Sequence, residues 1–218
     1  MFDDIDNNLN NGDGFVEQHR KAETEMARVV AEKNKLESQI ISLANSSLSN
    51  IISNIEELKQ ELFSSNCMQL QYSTTSGMVG PTEVVSALIA TQNSIVEGLK
   101  YVHEKVKGSC SVLLLDSEGR FFASRDKWGR TPVVLGKKED SMIALQESCA
   151  LHNLGYEHVR DLGPGEVVEL TYDSAVTLVE PNKKMAICSF LWVYYGYPAS
   201  SYEGRNVEMT RYRCGSAL

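Results

Sequence analysis

A nucleophilic site needs a Ser, Thr or Cys with a base in reach, or with its own terminal amine in that part. The histidines are His19, His103, His152 and His158, and none sits in a nucleophile-elbow, zinc or Cys/His signature. His19 falls on a leader helix, His103 on a polar helix face, and His152 and His158 flank a turn. Their settings predict solvated surface groups rather than bases. The cysteines, Cys67, Cys110, Cys149, Cys188 and Cys214, are odd in number, scattered and without a CxxC pair. They indicate neither a disulfide framework nor a self-contained zinc site. Free thiols in the cytoplasm are the expectation, with Cys110 and Cys188 as small core residues in β runs.

Two other segments mix residue types that can do chemistry. Arg125-Asp126-Lys127-Trp128-Gly129-Arg130-Thr131-Pro132 joins two strands. Arg125 and Asp126 are placed to pair, and Gly129 permits a positive φ. A tight structural loop is favoured over a wall of a site. From Cys188 to Gly204 five aromatics precede a Pro/Ser/Gly stretch. That pattern fits a stacking surface for a base or sugar, or a buried strand leading into a linker. Few basic residues accompany it, which favours the strand.

The elements that must position these residues change character near residue 66. Residues 1–14 are rich in Asp, Asn and Gly and read as a disordered leader. Residues 15–66 read as helical. Ala22, Met26, Val29, Leu36, Ile40 and Leu43 recur at steps of four and three, with Lys33 in the one polar place. That row fits an amphipathic helix lying on its own domain or a short coiled coil. The former is favoured, because three heptads are short and Lys33 weakens the seam. The break NSSLSN (45–50) and the Ser53/Glu56 capping pair predict a second helix over 54–63. Beyond residue 66, Pro81 opens a helix, Ser94 with Glu97 caps another, and DSEG turns a hairpin. Short strands are predicted at 109–115, 120–124, 133–135, 142–145, 167–172 and 175–179. Helices followed by consecutive antiparallel strands make an α+β layered domain.

Composition limits the partners. Hydrophobic residues make up 42% of the 218, enough for a core, and the net charge is -8. An acidic chain has no general attraction for nucleic acid or anionic lipid. No apolar run approaches the roughly 20 residues that span a bilayer.

The runs TEVVSALIATQ (82–92), KGSCSVLLL (107–115), RDKWGRTPVVLGKKED (125–140), ESCALHNLGYE (147–157), DLGPGEVVEL (161–170) and CSFLWVYYGYPASSYEG (188–204) occur in this order. Together they resemble amidophosphoribosyltransferase, which uses glutamine to make phosphoribosylamine from phosphoribosyl pyrophosphate in purine synthesis. The resemblance covers about 150 residues, and its last motif is the most particular. It implies a partial N-terminal-nucleophile glutaminase domain, an αββα sandwich, over 67–204 behind a long helical segment. Residues 205–218 would begin a truncated phosphoribosyltransferase domain. In this family an N-terminal Cys attacks glutamine with its own amine as base. Complete members use magnesium, and some carry a [4Fe-4S] cluster, one of whose ligand positions Cys188 matches. The structural-loop positions of the resemblance are Arg125, Asp126, Gly129, Arg130, Pro132, Glu147 and Ser148.

The sequence departs from the family at several points. It begins Met1-Phe2 with no Cys to expose, and Asn11-Gly12 lies in the polar leader. Gln71-Tyr72-Ser73-Thr74 echoes a substrate-holding segment but stands elsewhere in the order. Pro81 occupies the position of a glutamine-binding Asp, and Gln146 replaces a Ser. No catalytic residue is therefore expected in this chain, nor a cofactor held by it. The expectation is an incomplete, inactive fragment that pairs with a complementary fragment or self-associates as a homo-oligomer. The alternative is a non-catalytic interaction remnant.

Overall fold

The computed structural model describes residues 3–64 and 79–218. Cys67 and the segment Gln71–Thr74 lie outside them, as does most of the loop leading to Pro81. The chain divides into two units, Met1–Ile52 and Ser53–Leu218.

One helix, α1 (Asp3–Ser64), runs through the first unit and into the second. Two expectations are corrected here, the disordered leader and the break at 45–50. No proline occurs before Pro81 to end a helix. The serines in the polar stretch fold back onto the helix instead of diverting it: Ser49 Oγ donates to the Asn45 carbonyl at 3.0 Å. Along the first unit the described side chains from Arg20 to Ile52 are exposed, Met26 at 70% and Leu43 at 68%.

In the second unit α2 (Pro81–Ala90) and α3 (Ile95–Lys105) follow. Pro81 takes the first turn of α2, where its missing N–H costs nothing. Ser94 caps α3 by accepting from the Glu97 amide at 3.2 Å. Strands β1 (Val112–Leu115) and β2 (Phe121–Ser124) form the hairpin, joined antiparallel by β6 (Val167–Leu170) and β7 (Ala175–Val179) into a four-stranded sheet, β1-β2-β6-β7. A second antiparallel sheet has the order β4-β3-β5, from β3 (Val134–Lys138), β4 (Ser141–Leu145) and β5 (Glu157–Asp161).

Strand alternation builds the layers. Phe122 and Val167 face the helices, packing with Leu58 and Leu62 of α1, Val84 and Leu88 of α2, and Leu99 and Val102 of α3. Ala123 and Val168 face the other way, against Val133, Leu135, Ala144 and Leu162 of the second sheet. On the far side of that sheet Leu151 of α4 (Cys149–Leu154) lies over Gly136 of β3. The order is helices, sheet, sheet, helix: an αββα sandwich. On the edge strand β1, Leu113 and Leu115 point with Ala123 and Phe121 toward the inter-sheet side, yet remain 46% and 69% exposed.

The aromatic segment is neither a strand nor buried throughout. Leu191–Tyr195 forms a π-helical turn, followed by a small hairpin, β8 (Ser201–Tyr202) and β9 (Arg205–Asn206), and by α5 (Val207–Ala217). Arg211 of α5 donates to the carbonyls of Trp192, Tyr194 and Gly196, each at 2.9 Å, and so satisfies the acceptors at the end of the turn.

Candidate functional site

The loop after β2 begins with Arg125, whose side chain is wholly buried. Its Nε donates to the Thr131 carbonyl at 2.9 Å, Nη2 to the Gly129 carbonyl at 2.8 Å, and Nη1 to the Leu162 carbonyl and to Glu203 Oε1 at 2.7 Å. Gly129 holds a φ of +64°, which returns its carbonyl toward the guanidinium. Asp126 is buried as well but does not pair with Arg125. Its carboxylate accepts from the Ser109 hydroxyl at 3.0 Å and from the amides of Trp128 at 3.0 Å and Thr131 at 3.2 Å. The expectation that these neighbours pair is corrected: Arg125 spends its donors on carbonyls and Glu203, while Asp126 is taken up by Ser109 and the amides of its own loop. Pro132 is buried. Arg130 is exposed, and its carbonyl accepts from the Cys188 amide.

A second node joins β4 to the small hairpin. Glu147 Oε2 accepts from Ser200 Oγ at 2.6 Å and Tyr202 Oη at 2.7 Å, while Ser148 Oγ donates to the Ser201 carbonyl at 2.9 Å. Burial, and next the Glu147 carboxylate, push the Tyr202 phenol far above its ordinary value. Tyr202 is a fixed donor here, unfit to exchange a proton. Near the first node Arg160 grips Glu166 with two bonds, of 2.9 and 2.7 Å. Burial opposes the charge of Glu166, but Arg160 and the Gly163 amide outweigh it and hold its carboxyl below the usual range.

Sequence spacing misses one pair that resembles catalytic machinery. His103 Nε2 lies 2.9 Å from Ser124 Oγ. Burial lowers the His103 pKa, Asp126 pulls it up, and Lys127 lowers it. Ser124 has 0% exposure, so no substrate reaches its hydroxyl. His103 is thus half-buried and bonded rather than solvated. The missed residues Glu166 and Glu203 lie within the runs DLGPGEVVEL and CSFLWVYYGYPASSYEG. Glu166 is buried against Arg160 and Glu203 is exposed beside Arg125, and no local pattern marks either pairing.

Pro81 borders a hollow of about 260 Å³ lined by Thr82, Val85, Cys110, Ser111 and Leu113. Proline offers neither N–H nor charge to a ligand there. Burial, and then Asp126, raise the Cys110 thiol, so it is a poor nucleophile at neutral pH. Cys188 is half-buried at the start of the aromatic turn. A [4Fe-4S] cluster needs four thiolates. Among the described residues no three His, Cys, Asp or Glu side chains converge on a common point, so they do not fit that cluster. Nor is any described helix long and apolar enough to cross a membrane.

No family model matches the chain. Relatives do. Amidophosphoribosyltransferase of Methanothermobacter thermautotrophicus is 32% identical over 142 residues, 63% of this chain and 30% of the relative. That of Methanocaldococcus jannaschii is 30% identical over 181 residues, 76% and 38% of the two chains. Among solved structures, glutamine phosphoribosylpyrophosphate amidotransferase from B. subtilis, complexed with ADP and GMP, superposes with a TM-score of 0.59 at 23% identity. That match covers 71% of this chain and 33% of the other. The layers and this likeness define the fold: the second unit is an αββα sandwich that superposes on part of that amidotransferase. The sequence it shares is that of the amidophosphoribosyltransferases, and it spans about a third of the length of the curated relatives it matches.

Proposed function

We propose that Ser53–Leu218 serves as part of the glutaminase half of an amidophosphoribosyltransferase, a system forming phosphoribosylamine from glutamine and phosphoribosyl pyrophosphate. The observation that carries this reading is the sequence shared with those enzymes along the αββα layers. The described residues supply positioning rather than chemistry: Arg125, Asp126 and Glu147 fix loops, Ser124 is buried, and the Cys110 thiol is raised. Leu113 and Leu115, exposed on the inter-sheet side of an edge strand, are what a complementary segment would cover. A cytoplasmic setting goes with this reading, supported by Cys110, Cys149, Cys188 and Cys214 all being free thiols.

The test is glutamate release from glutamine by the purified chain, alone and mixed with an upstream segment that begins with Cys. No release alone and release on mixing is the expected result. Release by the chain alone would sink the need for a complement. Silence in both arms favours the second reading, a non-catalytic interaction protein, for which the exposed apolar row on α1 speaks.

A further inference from the structure

We propose that α1, between Ala22 and Leu43, docks a second helix whose own apolar seam is bordered by basic residues, and that a second copy of this chain is not that partner. The steps of four and three place Met26, Lys33 and Ile40 at heptad position a, and Ala22, Val29, Leu36 and Leu43 at d. On one continuous helix these side chains form a single row. Met26 is 70% exposed, Val29 55%, Leu36 53%, Ile40 55% and Leu43 68%. A row of this kind is what a coiled-coil partner covers.

Charge selects the partner. The positions bordering the seam are Glu23, Val30 and Glu37 at e, and Glu25, Glu32 and Gln39 at g. Four of the six are glutamate and none is basic, while Arg20, Lys21, Arg28 and Lys35 fall on the outer face at b and c. Arg28 meets Glu25 at 2.8 Å and Lys33 meets Glu37 at 3.6 Å, but all four side chains are more than half exposed, so these bridges compensate little. In a parallel homodimer Glu32 faces Glu37 of the other copy; in an antiparallel one, g rows face g rows and e rows face e rows. Both arrangements set carboxylates against each other, and like charges at these positions select against self-pairing. A helix with Lys or Arg at e and g turns every such contact attractive. Lys33 at an a position fixes the register. An anionic membrane is a poor alternative, since helices that lie on lipid carry basic rather than acidic residues beside their apolar face.

The test uses the full chain and two synthetic three-heptad peptides with Ile at a and Leu at d, one carrying Lys at e and g and the other Glu. By fluorescence anisotropy the Lys peptide is expected to bind at least about tenfold more tightly than the Glu peptide. Leu36→Glu should abolish binding, although it makes the chain more acidic. Glu32→Lys with Glu37→Lys should weaken the Lys peptide and admit the Glu peptide. Equal binding of both peptides, binding of neither, or Lys-peptide binding that survives Leu36→Glu each overturns the proposal. So does self-association in sedimentation that Leu36→Glu removes. The thermal transition, which reports the sandwich, serves as the check that each variant is folded.

Discussion

Arg125 gathers four acceptors from separate parts of the chain onto one planar fork, an arrangement lysine cannot copy. Arg125→Met strands three carbonyls and the Glu203 carboxylate, and a loss of about 3–5 kcal/mol is expected. It would be read as a lowered urea midpoint, and Arg125→Lys should recover little of it. His103 gives a pH dependence. Burial holds its folded pKa below the ordinary 6.5, so the unfolded chain takes up the proton first as pH falls. Its contribution to stability is complete above about pH 6.5 and is lost as pH drops through the lowered folded value. Urea midpoints measured across that window should fall with acid in the native chain and run flatter in His103→Gln. The loop 125–132 is legible in the sequence because Gly129 and Pro132 punctuate it among charged residues. The partners are not: Glu203 is 78 residues from Arg125, and Ser124 is 21 from His103. Nothing local announces either meeting.

At the scale of elements, α2 and α3 are readable because Pro81, Ser94 and Glu97 carry their own start signals, and the β1–β2 hairpin because Asp116 and Gly119 mark its turn. Strand β5 is not readable. Glu-His-Val-Arg-Asp has a mostly solvent-facing pattern, and it is a strand because β3 offers it backbone partners. The aromatic turn misleads in the other direction. Trp, Val and Tyr have high β propensity, yet Arg211 and the Trp192 Nε1 bond to the Arg205 carbonyl at 3.0 Å hold the segment helical. The crossing of α2 and α3 depends on Gly98, where a Cβ would lie 2.7 Å from the Ile89 carbonyl oxygen and 2.8 Å from its Cα. Backbone cannot yield as a side chain tip can. Gly98→Ala should therefore lower the melting temperature, its overpacking cost of about 1–3 kcal/mol exceeding the roughly 1 kcal/mol gained in helix propensity.

For the whole molecule, the division after Ile52 means that α1 serves two purposes. Its last turns supply Leu58 and Leu62 to the sandwich, and Asn54 Oδ1 accepts from the Lys107 amide at 2.9 Å. A chain starting at Ser53 should melt at the same temperature as the full one, whereas a chain starting at Val79 loses two buried leucines. At about 1.5–3 kcal/mol each, that is a large share of a domain's stability. Comparing the three melting curves checks it, and equal melting of the shortest chain would refute the role given to those leucines. The Arg125 cluster also sets a timetable for synthesis. Its guanidinium is made 78 residues before the carboxylate of Glu203 that completes its coordination. At about 5–20 residues per second a ribosome needs roughly 4–16 s to cover that interval. Through those seconds a cation destined for the interior lacks its counter-charge, so the loop between the two sheets can lock only after Glu203 has emerged. The last of the four Arg125 bonds therefore waits on a segment translated after every strand of the sandwich, a late commitment built into one side chain.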